Sequence, residues 1–230
     1  MPGTDLILLH GALGHGGQLA SLGALLGEDR RVMTLEFEGH GVTPLRGRPL
    51  RMESFASAVI EAMDAEGIPK ADFFGYSMGG YVALHLAATV PDRVDRVATL
   101  ATKLAWSPEV TARECAMLDA SMIRAKVPKY AQLLEARHTG AGWERLLTET
   151  ADLLRDLGDR PRLTDAVLDS IGQPVRLAVG DRDATVTIDE CIAAVRHLRN
   201  GELEVHPHTS HPFEKAPLDR IARSLSEFFA

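Results

Sequence analysis

Short apolar runs alternate along this chain with longer stretches whose apolar residues recur at helical spacing. Leu6 to His10, Val32 to Leu35, Asp72 to Gly75, Val94 to Ala101, Val175 to Gly180 and Leu203 to His206 are the short runs. Short runs that are apolar or rich in β-forming residues predict strands buried on both faces. Gln18 to Leu26, Met52 to Glu66, Met78 to Val90, Ile188 to Leu198 and Leu218 to Phe229 carry the helical patterns between and after them. Such alternation predicts an α/β fold, a doubly wound and mostly parallel sheet with right-handed crossovers.

One stretch breaks the rhythm. From Lys103 to about Ser170 the pattern contains helical apolar pairs, such as Met117-Leu118, Leu133-Leu134 and Leu153-Leu154, and no convincing strand. A crossover between parallel strands needs about a dozen residues. The surplus therefore predicts an inserted helical cap over 103–170, with 1–102 and 171–230 forming the core. Pro108, Pro128, Gly140, Gly142, Gly158 and Pro161 are expected to divide the insertion into several short helices.

Composition narrows the class. A chain of 230 residues with 45% hydrophobic content can bury one sizeable core. Its net charge of -7, without any run of Lys or Arg, argues against nucleic-acid and anionic-membrane partners and leaves a small-molecule substrate as the expected partner. Met1 to Asp5 carry no basic region, and no apolar stretch approaches membrane-spanning length, so the expectation is a cytoplasmic protein. Cys115 and Cys191 have no Cys or His neighbours at metal spacing and read as free thiols.

Chemistry enters at Gly75-Tyr76-Ser77-Met78-Gly79-Gly80, which lies between a predicted strand and a predicted helix. A serine hydroxyl is a poor nucleophile unless it is held out of the backbone beside a base, and a sharp strand-to-helix turn holds it so. Glycines at 75 and 79 suit a turn whose flanks approach each other closely.

In a parallel sheet, ligands bind beyond the carboxyl ends of the strands, and the other candidates fall there. His10-Gly11-Ala12-Leu13-Gly14 is a Gly-rich turn after the first strand. With Met78 at a helix N-terminus it could direct backbone N–H groups at a developing oxyanion. The turn lacks the Lys-Ser/Thr of a phosphate-binding loop and the spacing of a dinucleotide fingerprint, so no cofactor is expected. After the fifth strand, Asp181 and Asp183 offer carboxylates that could orient an imidazole. After the last, His206, His208 and His211 share one loop, and at least one can reach the serine as general base. A metal cluster of these histidines with Asp181 or Asp183 is disfavoured, because it leaves the serine turn and the Gly-rich turn without a role.

The order Ser, Asp, His, each at the end of a different strand, resembles the α/β-hydrolase superfamily over nearly the whole chain. The matching pieces are His10-Gly11, Gly39-His40-Gly41, the elbow at Ser77, Gly180-Asp181-Arg182-Asp183, and Ser210-His211 followed by Glu214 and Pro217. The resemblance implies Asp183 rather than Asp181 as the acid, His211 rather than His208 as the base, and Ala12 as the first oxyanion donor beside Met78. It implies that His10 and His40 brace loops. Most members carry two further strands before the His-Gly strand, so a trimmed sheet of about six strands is expected. The implied activity is that of a serine hydrolase acting on a small to medium carboxylic ester or related acyl compound through an acyl-enzyme on Ser77, with carbon-carbon bond hydrolase, thioesterase, cofactor-free peroxidase, lyase and slow-turnover ligand-binding or signalling protein as rivals on the same fold. Trp106, Tyr130 and Trp143 are expected to line the substrate pocket. Met117 and Met122 are further candidates for the pocket lining, with packing inside the cap favoured for them because they stand at helical spacing.

Overall fold

The computed structural model describes residues 4–28 and 30–230. Its strands are β1 (Leu6–Leu9), β2 (Val32–Leu35), β3 (Ala71–Tyr76), β4 (Val94–Leu100), β5 (Val175–Gly180) and β6 (Gly201–His206). Its α-helices are α1 (Ala20–Leu26), α2 (Met52–Ala65), α3 (Met78–Thr89), α4 (Pro108–Cys115), α5 (Ala120–Lys126), α6 (Pro128–Arg137), α7 (Trp143–Asp159), α8 (Asp165–Ser170), α9 (Ile188–Val195) and α10 (Leu218–Phe228). The strands form one six-stranded sheet in the order β2-β1-β3-β4-β5-β6, parallel throughout, as the alternating pattern predicts.

Alternate residues of β1 serve opposite layers. Leu6 and Leu8 pack with α1 and α10 through Leu22, Ile221 and Leu225. Ile7 and Leu9 pack with α2 and α3 through Phe55, Val59 and Val82. A strand covered on both faces needs apolar residues at every position, which is why β1 reads as an uninterrupted run. The outer strands differ from expectation. On β2 Thr34 is exposed, and on β6 Glu202 and Val205 are exposed, because an edge strand lacks a neighbour on one side and is incompletely covered.

The chain passes from β1 to β2 on one side and then returns to β3 on the other, so the topological switch lies between β1 and β3. Register keeps the carboxyl ends level: Leu9 pairs with both Leu35 and Gly75, and Gly75 with Thr99. The turns after β1 and β3 therefore emerge side by side.

Between β4 and β5 the chain is helical, and the helices fall into two groups. Helices α4 to α7 pack on one another, with Pro108 and Pro128 opening α4 and α6 at positions where a missing N–H costs nothing. Gly158 does not divide the segment as its composition suggests; it lies inside α7, facing Thr111 of α4. By contrast, α8 lies against α3, and the preceding turn is fastened to that helix where the Tyr81 hydroxyl accepts the N–H groups of Arg162 (3.0 Å) and Leu163 (3.1 Å).

Candidate active site

Ser77 stands between β3 and α3 with φ 51° and ψ -116°, a left-handed conformation that side chains avoid. Its backbone is held on three sides. The Ser77 N–H donates to the Leu100 carbonyl (2.8 Å), and its carbonyl accepts the Gly80 N–H (3.0 Å) and the Thr102 hydroxyl (3.0 Å). A Cβ on Gly79 would lie 2.2 Å from the Leu9 carbonyl oxygen, and one on Gly75 would lie 2.3 Å from Gly80 Cα. Only glycine lets β1, β3 and α3 approach this closely, and that approach projects the serine side chain into the cleft.

His211, beyond β6, brings Nε2 to 3.4 Å from Ser77 Oγ. On its other side Nδ1 donates to Asp183 Oδ2 at 2.8 Å. Asp183 Oδ1 accepts the N–H groups of Thr185 (2.8 Å) and Val186 (2.9 Å), so the carboxylate is fixed before it meets the imidazole. Burial pushes this carboxyl upward, but the hydrogen bonds from His211 and from the two amides outweigh it and hold Asp183 below its usual range. Tyr76 sets the approach of the histidine loop: its hydroxyl donates to the His211 carbonyl (2.9 Å), and its ring lies 5.7 Å from the imidazole.

The other loop groups do not converge on the serine. Asp181 is exposed and accepts the Thr209 N–H (3.2 Å), tying down the loop that carries His211. His208 meets Arg182 at 2.5 Å, and His206 is buried near Glu204. Among the described residues no group of three His, Cys, Asp or Glu side chains is placed to hold a metal ion.

The turn after β1 reaches the site from the neighbouring strand. Gly14 N–H closes it on the Gly11 carbonyl (3.0 Å), and Ala12 makes no backbone hydrogen bond there among the described residues. Met78, first in α3, leaves its N–H outside the helical ladder. Both residues border the cavity that contains Ser77 and His211.

Leu13 follows Ala12 with φ 57°, and imidazoles hold its peptide groups at both ends. Its N–H donates to His40 Nε2 (3.2 Å), while His40 Nδ1 donates to the Glu38 carbonyl (3.0 Å). Its carbonyl accepts from His138 Nε2 (2.9 Å) and Arg137 Nη1 (2.9 Å), both at the end of α6. His138 Nδ1 in turn accepts the Gly41 N–H (3.0 Å). These bonds require neutral rings, and burial lowers the pKa values in that direction: well below the ordinary value for His40, and to about 4 for His138. His10 lies beneath, its Nδ1 donating to the Gly11 carbonyl (2.8 Å) and its Nε2 accepting the Phe37 N–H (3.2 Å). His10 and His40 thus brace loops. Arg137 and His138 carried no signal in the sequence, since an Arg-His pair at a helix end resembles any charged surface.

The cavity holds about 380 Å³ and lies between the sheet edge and the inserted helices. Trp106 and Tyr130 line it. Trp143 does not: it is buried on α7 beneath Arg124, whose guanidinium carbon sits 4.9 Å from the ring centre. A bulky aromatic at the start of an amphipathic helix packs inward whether the interior is core or pocket, so the pattern could not separate the two. Packing inside the cap, favoured for Met117 and Met122, does not hold: both are exposed, and Met117 borders the cavity, the alternative its sequence position left open.

A family model for the alpha/beta hydrolase fold matches residues 5–154. The chain is 28% identical over 255 residues to the pimeloyl-[acyl-carrier protein] methyl ester esterase of Stenotrophomonas maltophilia (strain R551-3), with 99% of this chain and 93% of that protein covered. It is 30% identical over 97 residues to esterase YbfF of Escherichia coli (strain K12), a stretch covering 42% of this chain and 38% of that protein. The solved structure of the enol-lactonase from Burkholderia xenovorans LB400 has the same fold, with a TM-score of 0.80 at 20% identity over 98% of this chain and 91% of that one. Because the family match runs from the first strand through most of the inserted helices, over more than half of the sequence, this chain belongs to the alpha/beta hydrolase fold family.

Proposed function

We propose that this protein is a serine hydrolase that cleaves small to medium carboxylic esters through an acyl-enzyme on Ser77. The observation that carries the reading is the hydrogen-bonded run from Ser77 Oγ through His211 to a buried Asp183. Ser77 Oγ attacks the ester carbonyl while His211 Nε2 takes its proton. The negative charge moves to the carbonyl oxygen, where the N–H groups of Ala12 and Met78 receive it. Collapse of this intermediate breaks the ester C–O bond, and His211 returns the proton to the departing alcohol. Water, deprotonated by His211, then attacks the acyl-enzyme and frees the acid and Ser77. Asp183 holds the imidazole in the tautomer that accepts the serine proton and stabilises the imidazolium that results.

A Ser77 to His211 separation of 3.4 Å suits a site awaiting substrate, since such contacts commonly tighten in the Michaelis complex. The cavity, mostly apolar and about 380 Å³, fits an acyl chain of modest length. Residues 103–170 act as the cap that shapes it, and esterase names among the relatives favour ester cleavage over the rival chemistries of the fold. Treatment with a fluorophosphonate probe should add its mass at Ser77, and p-nitrophenyl esters should give a burst of p-nitrophenol. Labelling that persists in Ser77→Ala would overturn the assignment.

A further inference from the structure

The charged side chains that border the cavity are engaged, with one exception. Lys103 Nζ donates to the Thr185 carbonyl (2.7 Å) and lies 3.6 Å from Glu190. Arg137 binds the Leu13 carbonyl and meets Glu214 at 3.3 Å. Glu214 also accepts from Gln18 (2.6 Å). Glu114 is different. It sits on α4 with 9% exposure, borders the cavity, and its side chain makes no hydrogen bond among the described residues. Among the described residues its one ionic neighbour is Arg113, 3.6 Å away on the same helix and 69% exposed.

Thr150, on α7, which packs against α4, borders the same cavity; it is 2% exposed, and its Oγ1 has no partner among the described residues. The surrounding wall is apolar, made by Met117, Leu118, Leu153 and Leu154. A carboxylate that borders an apolar cavity without a hydrogen bond keeps its acceptor sites open to a ligand that fills the cavity. A carboxylate and a hydroxyl both accept hydrogen bonds, and only the carboxylate carries charge. Their complement is a cationic N–H donor.

We propose that Glu114, with Thr150 on the lining of the same cavity, is a specificity site for the remote end of the acyl group, and that the protein selects esters of amine-bearing acids in their ammonium form. The proposal deepens the ester-cleaving reading of Ser77 and rests on it. The site also opposes acyl groups ending in a carboxylate, which would meet Glu114 at short range in a water-poor pocket.

The test compares kcat/KM for three p-nitrophenyl esters of matched length: 6-aminohexanoate, hexanoate and the half-ester of adipic acid. The ammonium ester should lead the alkyl ester by roughly tenfold or more, the adipate half-ester should be slowest, and Glu114→Gln should bring the ammonium-to-alkyl ratio down to about one. Arg113→Ala should leave the ratio as it is. Calorimetry with n-hexylammonium on Ser77→Ala supplies a readout that needs no turnover, and adding Glu114→Gln should abolish its binding. Cleavage of the alkyl ester with no ammonium preference overturns this inference and leaves the esterase reading standing. Failure to cleave any ester, with hexylammonium still bound through Glu114, overturns the esterase reading and supports the site. A ratio that collapses in Arg113→Ala as in Glu114→Gln shows a surface ion pair instead and overturns the proposal.

Discussion

His138 Nε2 donates to the Leu13 carbonyl at 2.9 Å, a bond that runs from the end of α6 to the turn after β1. Leu13 adjoins Ala12, so the inserted helices take part in fixing the direction of the proposed oxyanion donor. Removing the imidazole leaves the Gly41 N–H unpaired in a buried place and frees one side of Leu13, whose positive φ is unfavourable without such restraint. His138→Ala should lower kcat by roughly tenfold with little change in KM, because an oxyanion contact is made chiefly in the transition state. Steady-state kinetics on p-nitrophenyl acetate check this, and a rise in KM alone would contradict it.

Asp183 and Asp181 are two residues apart and do different work. Asp183→Asn should reduce kcat by roughly 10³ to 10⁴, since it presents the wrong hydrogen-bonding partner to His211 Nδ1. Asp181→Asn should cost far less, because the amide oxygen can still accept from Thr209 N–H. Equal losses in the two variants would remove Asp183 from its role.

Ser77 holds an unfavourable backbone conformation for the sake of its position. Glycine adopts φ near 51° without strain, so Ser77→Gly should raise the folding stability by about 1 kcal/mol while abolishing probe labelling. Urea denaturation of the two proteins measures it.

Acid stability should reflect two opposing buried groups. The pKa of His138 is lowered by burial to about 4, so its neutral form is preferred on folding. Its contribution is present above the ordinary value of 6.5 and is lost as the pH falls through about 4. Asp72, buried in β3 beside Arg30, is pushed up by burial to about 6, so its protonated form is preferred and stability falls as the pH rises from 3.8 through about 6. The two slopes oppose each other between about pH 4 and 6. Asp72→Asn removes one of them, and the stability of that variant should fall more steeply on acidification than that of the parent. Denaturation midpoints across this range provide the comparison.

Much of the fold was legible because the central strands are covered on both faces and so appear as short, largely apolar runs, with charges confined to their amino-terminal halves at Asp72, Asp95, Arg96 and Arg176: β1, β3, β4 and β5 all lie where the pattern puts them. Ser77 could be found because a strand-to-helix turn requires glycine at close approaches, which is a local demand, whereas Asp183 and His211 are singled out among their strand-end neighbours only by the resemblance to the α/β-hydrolases. The inserted helices are another matter. An amphipathic helix shows which face is apolar, and not whether that face meets a core or a cavity. The pattern therefore does not separate Trp143, which packs off the cavity, from Met117, which borders it, and Glu114, Thr150, Arg137 and His138 give no sign at all. Sequence alone therefore determined the layered sheet and the order of its strand-end groups, because both follow from local periodicity and turn chemistry. Only the tertiary structure decided that Leu13 is held between His40 and His138, and that Glu114 faces the cavity, because those contacts join segments far apart in the chain, and nothing local specifies them.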